Sequence, residues 1–316
     1  MRKLFTGYMR WIGLVGLAVV ALVVYINVEP TPAPIEPKPI EFAKQPAPQV
    51  AAAPDPIAAL IEALPEVEPA ITPPNWQQFA ISSNLNETTS AIAIVIDDLG
   101  NSTARLEALF DIQEPLTLSF LSYARHLPES TRRAREKGYE LLVHVPMEPL
   151  NGDVNPGMKA MLTSMDRDTM RTSIDWHLSQ FTNFVGFNNH MGSKFTADQK
   201  GMEIVIDAAR ERGLLFLDSR TTECTLGKTL ADQAGVPVIE RDIFLDNVIE
   251  EAAILKQLEK AAAIARTSAT AVVIGHPHPQ TVRAIKQWLK TLDDIEIVPL
   301  SALVKRSEKN AQLAQR

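Results

Sequence analysis

Residues 91–100 read AIAIVIDDLG, six apolar residues followed by two aspartates and a turn-forming pair. A short apolar run of this kind, bounded by a glycine, reads as a strand buried on both faces, as in a parallel sheet covered by helices. Working outward, similar runs predict further strands at Leu116–Leu121, Glu140–Val145, Phe184–Phe187, Leu214–Leu217, Val236–Ile239, Ala271–Ile274 and Ile295–Val298. Stretches of helical period lie between them, at Ser102–Phe110, Ser130–Glu136, Asp168–Gln180, Lys200–Glu211, Leu226–Gln233, Glu250–Ala265 and Thr281–Leu292. Strand and helix in alternation specify an α/β fold with seven or eight parallel strands, either a barrel or a doubly wound sheet. No glycine-rich phosphate loop follows any strand, so a nucleotide site has no support. No GxSxG elbow is present to mark a serine hydrolase.

The polar residues gather where those strands end. Asp97 and Asp98 close the first, His144 the third, and Asn188, Asn189 and His190 follow the fourth. Asp218, Ser219 and Arg220 follow the fifth, and His276 and His278 the seventh. In parallel α/β folds this rim is where loops converge and active sites assemble. Neighbouring residues on a strand point to opposite faces, so Asp97 and Asp98 can serve different purposes, one binding metal and the other taking a proton. An Asp after a strand also commonly caps the next helix. His144 and Glu148 lie four apart in HVPMEP, where two prolines exclude a helix and a turn must align them. In NNHMGS, the amides of Asn188 and Asn189 can orient an imidazole or a substrate hydroxyl, and Gly192 permits a tight turn beside His190. His276 and His278, two apart in GHPHP, share a side and suit ligation or proton transfer. Asp218, Asp242, Asp246 and Arg220 are candidates to orient the histidines or hold charge. Oxygen and nitrogen donors without thiolate favour zinc, manganese, cobalt or iron, and hydrolysis by an activated water.

The remaining sequence bounds the setting. With 31 basic against 38 acidic residues the net charge is −7, which offers nucleic acid no footprint. The lone Cys224 cannot form an internal disulfide and reads as buried packing. Near the N-terminus, Arg2, Lys3 and Arg10 precede 18 uncharged residues from Trp11 to Val28. That is long enough to span a bilayer, and it favours an uncleaved anchor over a cleavable signal segment. The positive charges keep the N-terminus in the cytoplasm and place the rest across the membrane, periplasmic or extracellular. Between Glu29 and Pro74 stand 13 of the 22 prolines, with Ala and Glu, so residues 29–90 read as an extended spacer with an irregular lead-in. The expected organisation is an anchor at 1–28, a linker at 29–90, a catalytic domain at 91–304 and a polar tail at 305–316.

The set IVIDDLG, HVPMEP, NNHMGS, LDSRT and GHPHP, in this order from about Ala91 to Leu303, resembles the divergent polysaccharide deacetylase family. The resemblance implies a deformed (β/α) barrel of about seven parallel strands and metal-dependent removal of acetyl groups from N-acetylated sugars. It further implies Asp97 as the catalytic base and Asp98 as a metal ligand, with His144 the first histidine of the wider family's HxxxH metal motif. The second histidine of that motif falls on Glu148, so the implied ligand set is Asp98, His144, Glu148 and His190, most readily around zinc. His276 corresponds to a general acid. His278 is counted with it among the catalytic residues, with Arg220 as a loose substitute for the wider family's arginine. Asn188, Asn189 and Asp218 are assigned to substrate binding. The expected protein is therefore an inner-membrane, single-pass hydrolase acting on a periplasmic glycan, peptidoglycan being the natural one. The alternative is a noncatalytic carbohydrate-binding or envelope-assembly protein on the same fold.

Overall fold

The computed structural model describes residues 75–86 and 88–314. The expected anchor and residues 29–74 of the expected spacer lie outside the described residues. The first element is a short helix, α1 (Asn75–Phe79), whose Trp76 is buried. Nine strands follow in alternation with helices: β1 (Ser90–Leu99), α2 (Thr103–Leu109), β2 (Thr117–Leu121), α3 (Leu127–Glu136), β3 (Glu140–Met147), α4 (Arg167–Leu178) and β4 (Gly186–Met191) make the first half. The second half comprises α5 (Gln199–Arg212), β5 (Leu215–Asp218), α6 (Gly227–Ala234), β6 (Val238–Glu240), β7 (Ile243–Phe244), α7 (Glu251–Ser268), β8 (Thr270–Gly275), α8 (Pro279–Leu289), β9 (Ile295–Ile297) and α9 (Leu300–Ala314).

The strands pair in the order β6-β5-β4-β3-β2-β1-β8-β7, every pairing parallel, with β9 beside the start of β1. The sheet curls into a deformed (β/α) barrel whose seam falls between β6 and β7. There the Arg241 N–H donates to the Asp218 carbonyl at 3.0 Å and the Asp242 N–H to the Val272 carbonyl at 2.8 Å, so two residues bridge the gap without a ladder. The two-residue β7 is too short to leave a periodic signal, which is why the sequence predicts one strand fewer.

Side-chain parity divides the core. Ile92, Ile94 and Ile96 of β1 face outward, in one cluster with Phe120, Val143, Phe187, Phe216 and the helices. Ala91, Ala93 and Val95 face inward with Leu142, Leu215, Leu217, Val272 and Ile274. Continuing that inner parity toward the strand C-termini gives Asp97, His144, Asn188, Ser219 and His276, so the barrel is filled by apolar side chains below and polar ones above. The lower end is closed by Leu300, Leu303 and Val304 of α9 together with Trp76. The stretch from Lys305, expected to be a polar tail, therefore continues a docked helix. Its N-terminus meets the buried Glu140, which accepts the Ser301 N–H at 3.0 Å and the Thr117 hydroxyl at 3.1 Å. Unpaired amides of a helix's first turn suit a carboxylate, which explains an acid at the start of an interior strand.

A buried histidine makes one part of this scaffold sensitive to acid. His177 on α4 contacts the Ser122 hydroxyl at 2.7 Å through Nδ1 and the Lys159 carbonyl at 2.9 Å through Nε2. Burial pushes its pKa down to about 4 from 6.5. A base with a depressed folded pKa leaves stability intact above its unfolded value and loses it as pH falls toward the folded one. Between pH 6.5 and about 4 the protein should lose about 3 kcal/mol through this group. Urea melts across that window should show the loss in the wild type and a flatter dependence in His177→Gln; equal slopes would refute the assignment.

Candidate active site at the barrel rim

The two aspartates reach the site by different means. Asp97 continues the inward parity of β1 and is buried. Asp98 by alternation would face away, but its φ of +59° and a register shift between Ile96 and Leu99 turn it back toward the barrel axis. A bulge at a strand end commonly re-aims a side chain in this way. On β3 and β4, His144 is in register with Asn188, and His190 stands two residues further along the same face. After His190, Met191 (φ +54°) and Gly192 (φ +86°) turn the chain sharply; a Cβ on Gly192 would lie 2.9 Å from that of Met147. Both prolines of HVPMEP thus flank an extended strand end, and the loop is held by its backbone.

Three donor atoms converge. Asp98 Oδ1 lies 2.9 Å from His190 Nδ1 and 3.3 Å from His144 Nε2, and those two nitrogens are 3.2 Å apart. Ligands held about 2.1 Å from one ion, at angles of about 90–110°, are separated by about 3.0–3.4 Å, so this triangle has the size of a coordination face. Asp98 Oδ1 is buried and accepts no hydrogen bond of good geometry. A buried carboxylate oxygen without a hydrogen bond is costly unless another charge meets it, and two imidazole nitrogens beside it supply the rest of a metal-ligand set. Asp98, His144 and His190 therefore fit a divalent transition metal by position and by donor chemistry.

The electrostatics separate the two carboxylates. Burial pushes Asp98 up, yet the adjoining His144 and His190 outweigh it and hold its carboxyl well below the usual range. For Asp97, burial prevails: its pKa is raised, with the Asp98 charge adding to the shift and His144 and His276 opposing it. His144 is itself raised, since the attraction of Asp97 and Asp98 overcomes the cost of its burial. One carboxylate stays ionised as a ligand while its neighbour is more basic, which is a separation of roles set by environment.

His276 stands beside this group, just past the end of the neighbouring strand β8, its Nε2 3.8 Å from Asp98 Oδ2. Its Nδ1 contacts Asp246 Oδ1 at 3.0 Å, and its backbone N–H donates to Asp246 Oδ2 at 2.6 Å. Burial lowers its pKa, but Asp246, Asp97 and Asp98 together push it up to about 9. His276 is thus an imidazolium at neutral pH, a proton donor facing the carboxylates. His278 lies within reach of Asp246 and His276, with ring centroids 6.0 Å apart for the two histidines. Both Asp246 oxygens are already hydrogen-bonded, one of them also by Thr281, so this second group is held together by hydrogen bonds rather than by an open ligand set.

Other expected site residues are placed elsewhere. Glu148 accepts the Thr163 N–H and hydroxyl at 2.7 Å each and the Lys194 ammonium at 2.7 Å, so it fastens two loops and is not brought to the metal-ligand cluster. Because β3 runs extended to Met147, four residues span about 13 Å, too far for Glu148 to share an ion with His144. Arg220 is committed to Glu240 at 2.6 Å and Glu223 at 2.9 Å. Another arginine, Arg241, which the sequence does not single out, has Asp218, Asp242 and Asp97 among the charges around it. Its guanidinium donates to the Ser219 and Arg220 carbonyls at 2.7 Å each and lies over the Phe244 ring.

None of the three residues assigned to substrate binding is open to a substrate: Asn188, Asn189 and Asp218 are each at most 1% exposed. Asn189 receives the Ser219 N–H at 2.9 Å and donates to the Met191 carbonyl at 2.7 Å. Asp218 accepts the Arg220 N–H at 2.8 Å and the Thr225 hydroxyl at 2.6 Å, packed so tightly that a Cβ on Gly227 would sit 2.4 Å from its Oδ2. Polar side chains on interior strands are satisfied by the scaffold they hold. Cys224, expected to be buried, is exposed.

Comparison with known proteins brings the fold and this cluster together. The chain is 36% identical over 215 residues to the uncharacterized protein YibQ of Escherichia coli K12, covering 67% of each chain. It is 31% identical over 237 residues to an uncharacterized protein of Haemophilus influenzae, covering 73% of this chain and 82% of that one. Among solved structures, an uncharacterized protein of Agrobacterium tumefaciens C58 superposes with a TM-score of 0.69 at 29% identity, over 73% of this chain and 95% of the other. The family model for divergent polysaccharide deacetylases matches residues 94–304, a span that runs from inside β1 through the barrel and every residue of the rim cluster. The curled parallel barrel and that match lead to one conclusion: this chain belongs to the divergent polysaccharide deacetylase family.

Proposed function

We propose that this protein is an envelope-anchored, metal-dependent hydrolase that removes acetyl groups from an N-acetylated polysaccharide, with zinc as its ion and periplasmic peptidoglycan as its natural glycan. The observation that carries this reading is the meeting of Asp98, His144 and His190 donor atoms beside a second, more basic carboxylate and an imidazolium. A divalent cation held by Asp98, His144 and His190 supplies Lewis acidity for the acetamide carbonyl and for water. Asp97, raised by burial, accepts the proton of the attacking water. Its hydrogen bonds from the Asn188 amide, at 3.0 and 3.1 Å, hold the carboxylate still. His276, kept protonated by Asp246, delivers a proton to the departing amine as the C–N bond breaks. His276 follows β8, the strand beside β1, so the acid stands next to the base Asp97 at the same rim, with Asp246 behind it.

No helix among the described residues is long and apolar enough to cross a membrane. Anchoring therefore rests on the Trp11–Val28 segment, whose charge asymmetry assigns the barrel to the periplasmic side. The test is acetate release from N-acetylated glucosamine oligomers and from peptidoglycan by the zinc-supplied protein, before and after a chelator. The reading expects release that the chelator abolishes and added zinc restores. Absence of acetate from every N-acetylated glycan, with a folded and metal-loaded protein, would refute it.

The acid assignment predicts a pH effect with a definite sign. His276 donates only below its pKa, so the alkaline limb of activity reports its deprotonation. Replacing Asp246 by Asn removes the negative charge beside Nδ1, which lowers that pKa. The alkaline limb should move to lower pH by about one unit or more. An unchanged limb in a folded Asp246→Asn protein would exclude His276 as the titrating acid.

A further inference from the structure

Asn188, assigned from sequence to substrate binding, is fully buried and holds a different place in the site. Its Oδ1 accepts the Ser119 hydroxyl at 2.6 Å and faces His144 Nδ1 at 2.9 Å. Its Nδ2 donates to both oxygens of Asp97, at 3.0 and 3.1 Å, and reaches Ser219 Oγ at 3.2 Å. An amide offers two lone pairs and two N–H groups, and every one of them has a partner here.

The orientation of this amide follows from its neighbours. Turned over, it would set its oxygen against the Asp97 carboxylate, two acceptors with no proton between them. The Asp97 side therefore fixes Nδ2 toward the carboxylate and Oδ1 toward His144. An acceptor at Nδ1 requires that the proton of His144 be on Nδ1. Its Nε2 lone pair is then directed at the space shared with Asp98 Oδ1 and His190 Nδ1. The hydrogen bond made by one ring nitrogen decides which nitrogen can ligate.

We infer that Asn188 is a positioning residue that presents His144 as an Nε2 ligand while gripping the base Asp97, so that one side-chain amide joins the metal-ligand cluster to the proton acceptor. The inference rests on the metal-centre reading above and adds to it a determinant of metal affinity that touches neither ion nor substrate. Asn188 extends from β4 between β3 and the end of β1, so the same residue also sets the spacing of His144 from Asp97, 3.5 Å between Nε2 and Oδ2.

Three measurements on the full chain test it. Zinc affinity, read by competition with a chromophoric chelator, should fall roughly 10–100-fold in Asn188→Leu, the loss that removal of an outer partner of a ligating histidine brings. The cobalt absorption spectrum of that variant should shift as well, because the His144 ring is released. Independently of any substitution, ring-nitrogen NMR of the zinc-loaded wild type should show His144 with metal on Nε2 and a proton on Nδ1. A wild type that takes up no zinc overturns the metal-centre reading and this inference with it. Ligation through Nδ1, or a folded Asn188→Leu with unchanged affinity and cobalt spectrum, overturns this inference alone and leaves the hydrolase reading standing.

Discussion

Asp97→Asn should bind zinc as the wild type does and hydrolyse its glycan about 10²–10⁴ times more slowly, the range that a general base contributes. The side chain is nearly isosteric, and Asp97 is not among the donor atoms of the Asp98, His144 and His190 triangle. What the substitution removes is the basic oxygen. Burial and the neighbouring Asp98 charge raise the Asp97 pKa, so its ionised form is less favourable in the folded protein than in the unfolded chain. For an acid whose folded pKa is raised, stability falls as pH rises from the unfolded value through the folded one. Measured without added metal, the wild type should therefore lose stability as pH rises through that range, and the neutral variant should show a flatter dependence. Loss of activity accompanied by loss of zinc would instead make Asp97 a ligand.

Asp98→Ala should have the opposite profile, folded but without zinc and without hydrolysis. Asp98 lies at the rim, its oxygens meeting only imidazoles, so no strand pairing or core contact depends on its carboxylate. Removing it deletes the one anionic donor of the cluster and leaves two histidines. The affinity loss should exceed the roughly 10–100-fold typical of an outer partner. His144 should also titrate at lower pH, since Asp98 contributes to holding its pKa up. Calorimetric zinc titration of wild type and variant checks the first point, and histidine NMR titration the second.

Much of this architecture is legible in the residues alone. The inward set Ala91, Ala93, Val95 and Asp97 follows from strand parity alone, and the polar strand ends mark the rim. Asp98 was harder, because its inward turn depends on a left-handed residue in a bulge that sequence does not announce. The four-residue spacing of His144 and Glu148 suggests a shared ion, but the extended β3 backbone carries Glu148 away from it. His190 was found by residue type, but its proximity to His144 depends on the register of β3 against β4, a long-range property. Asn188 and Asp218 stand at strand ends, where the sequence suggests substrate contacts; the interior strands bury them, and their hydrogen bonds stay within the protein. The helix at the C-terminus was hidden by its charged second half, although Leu300, Leu303 and Val304 form the stripe that docks it.

The most direct test of the metal centre is the amount of zinc bound per chain by the purified protein, compared with the same protein carrying His190→Ala. The account predicts one ion per chain in the wild type and a marked loss of binding in the folded variant. A folded wild type that takes up no zinc, manganese or cobalt, or one whose zinc is retained unchanged in His190→Ala, would contradict it.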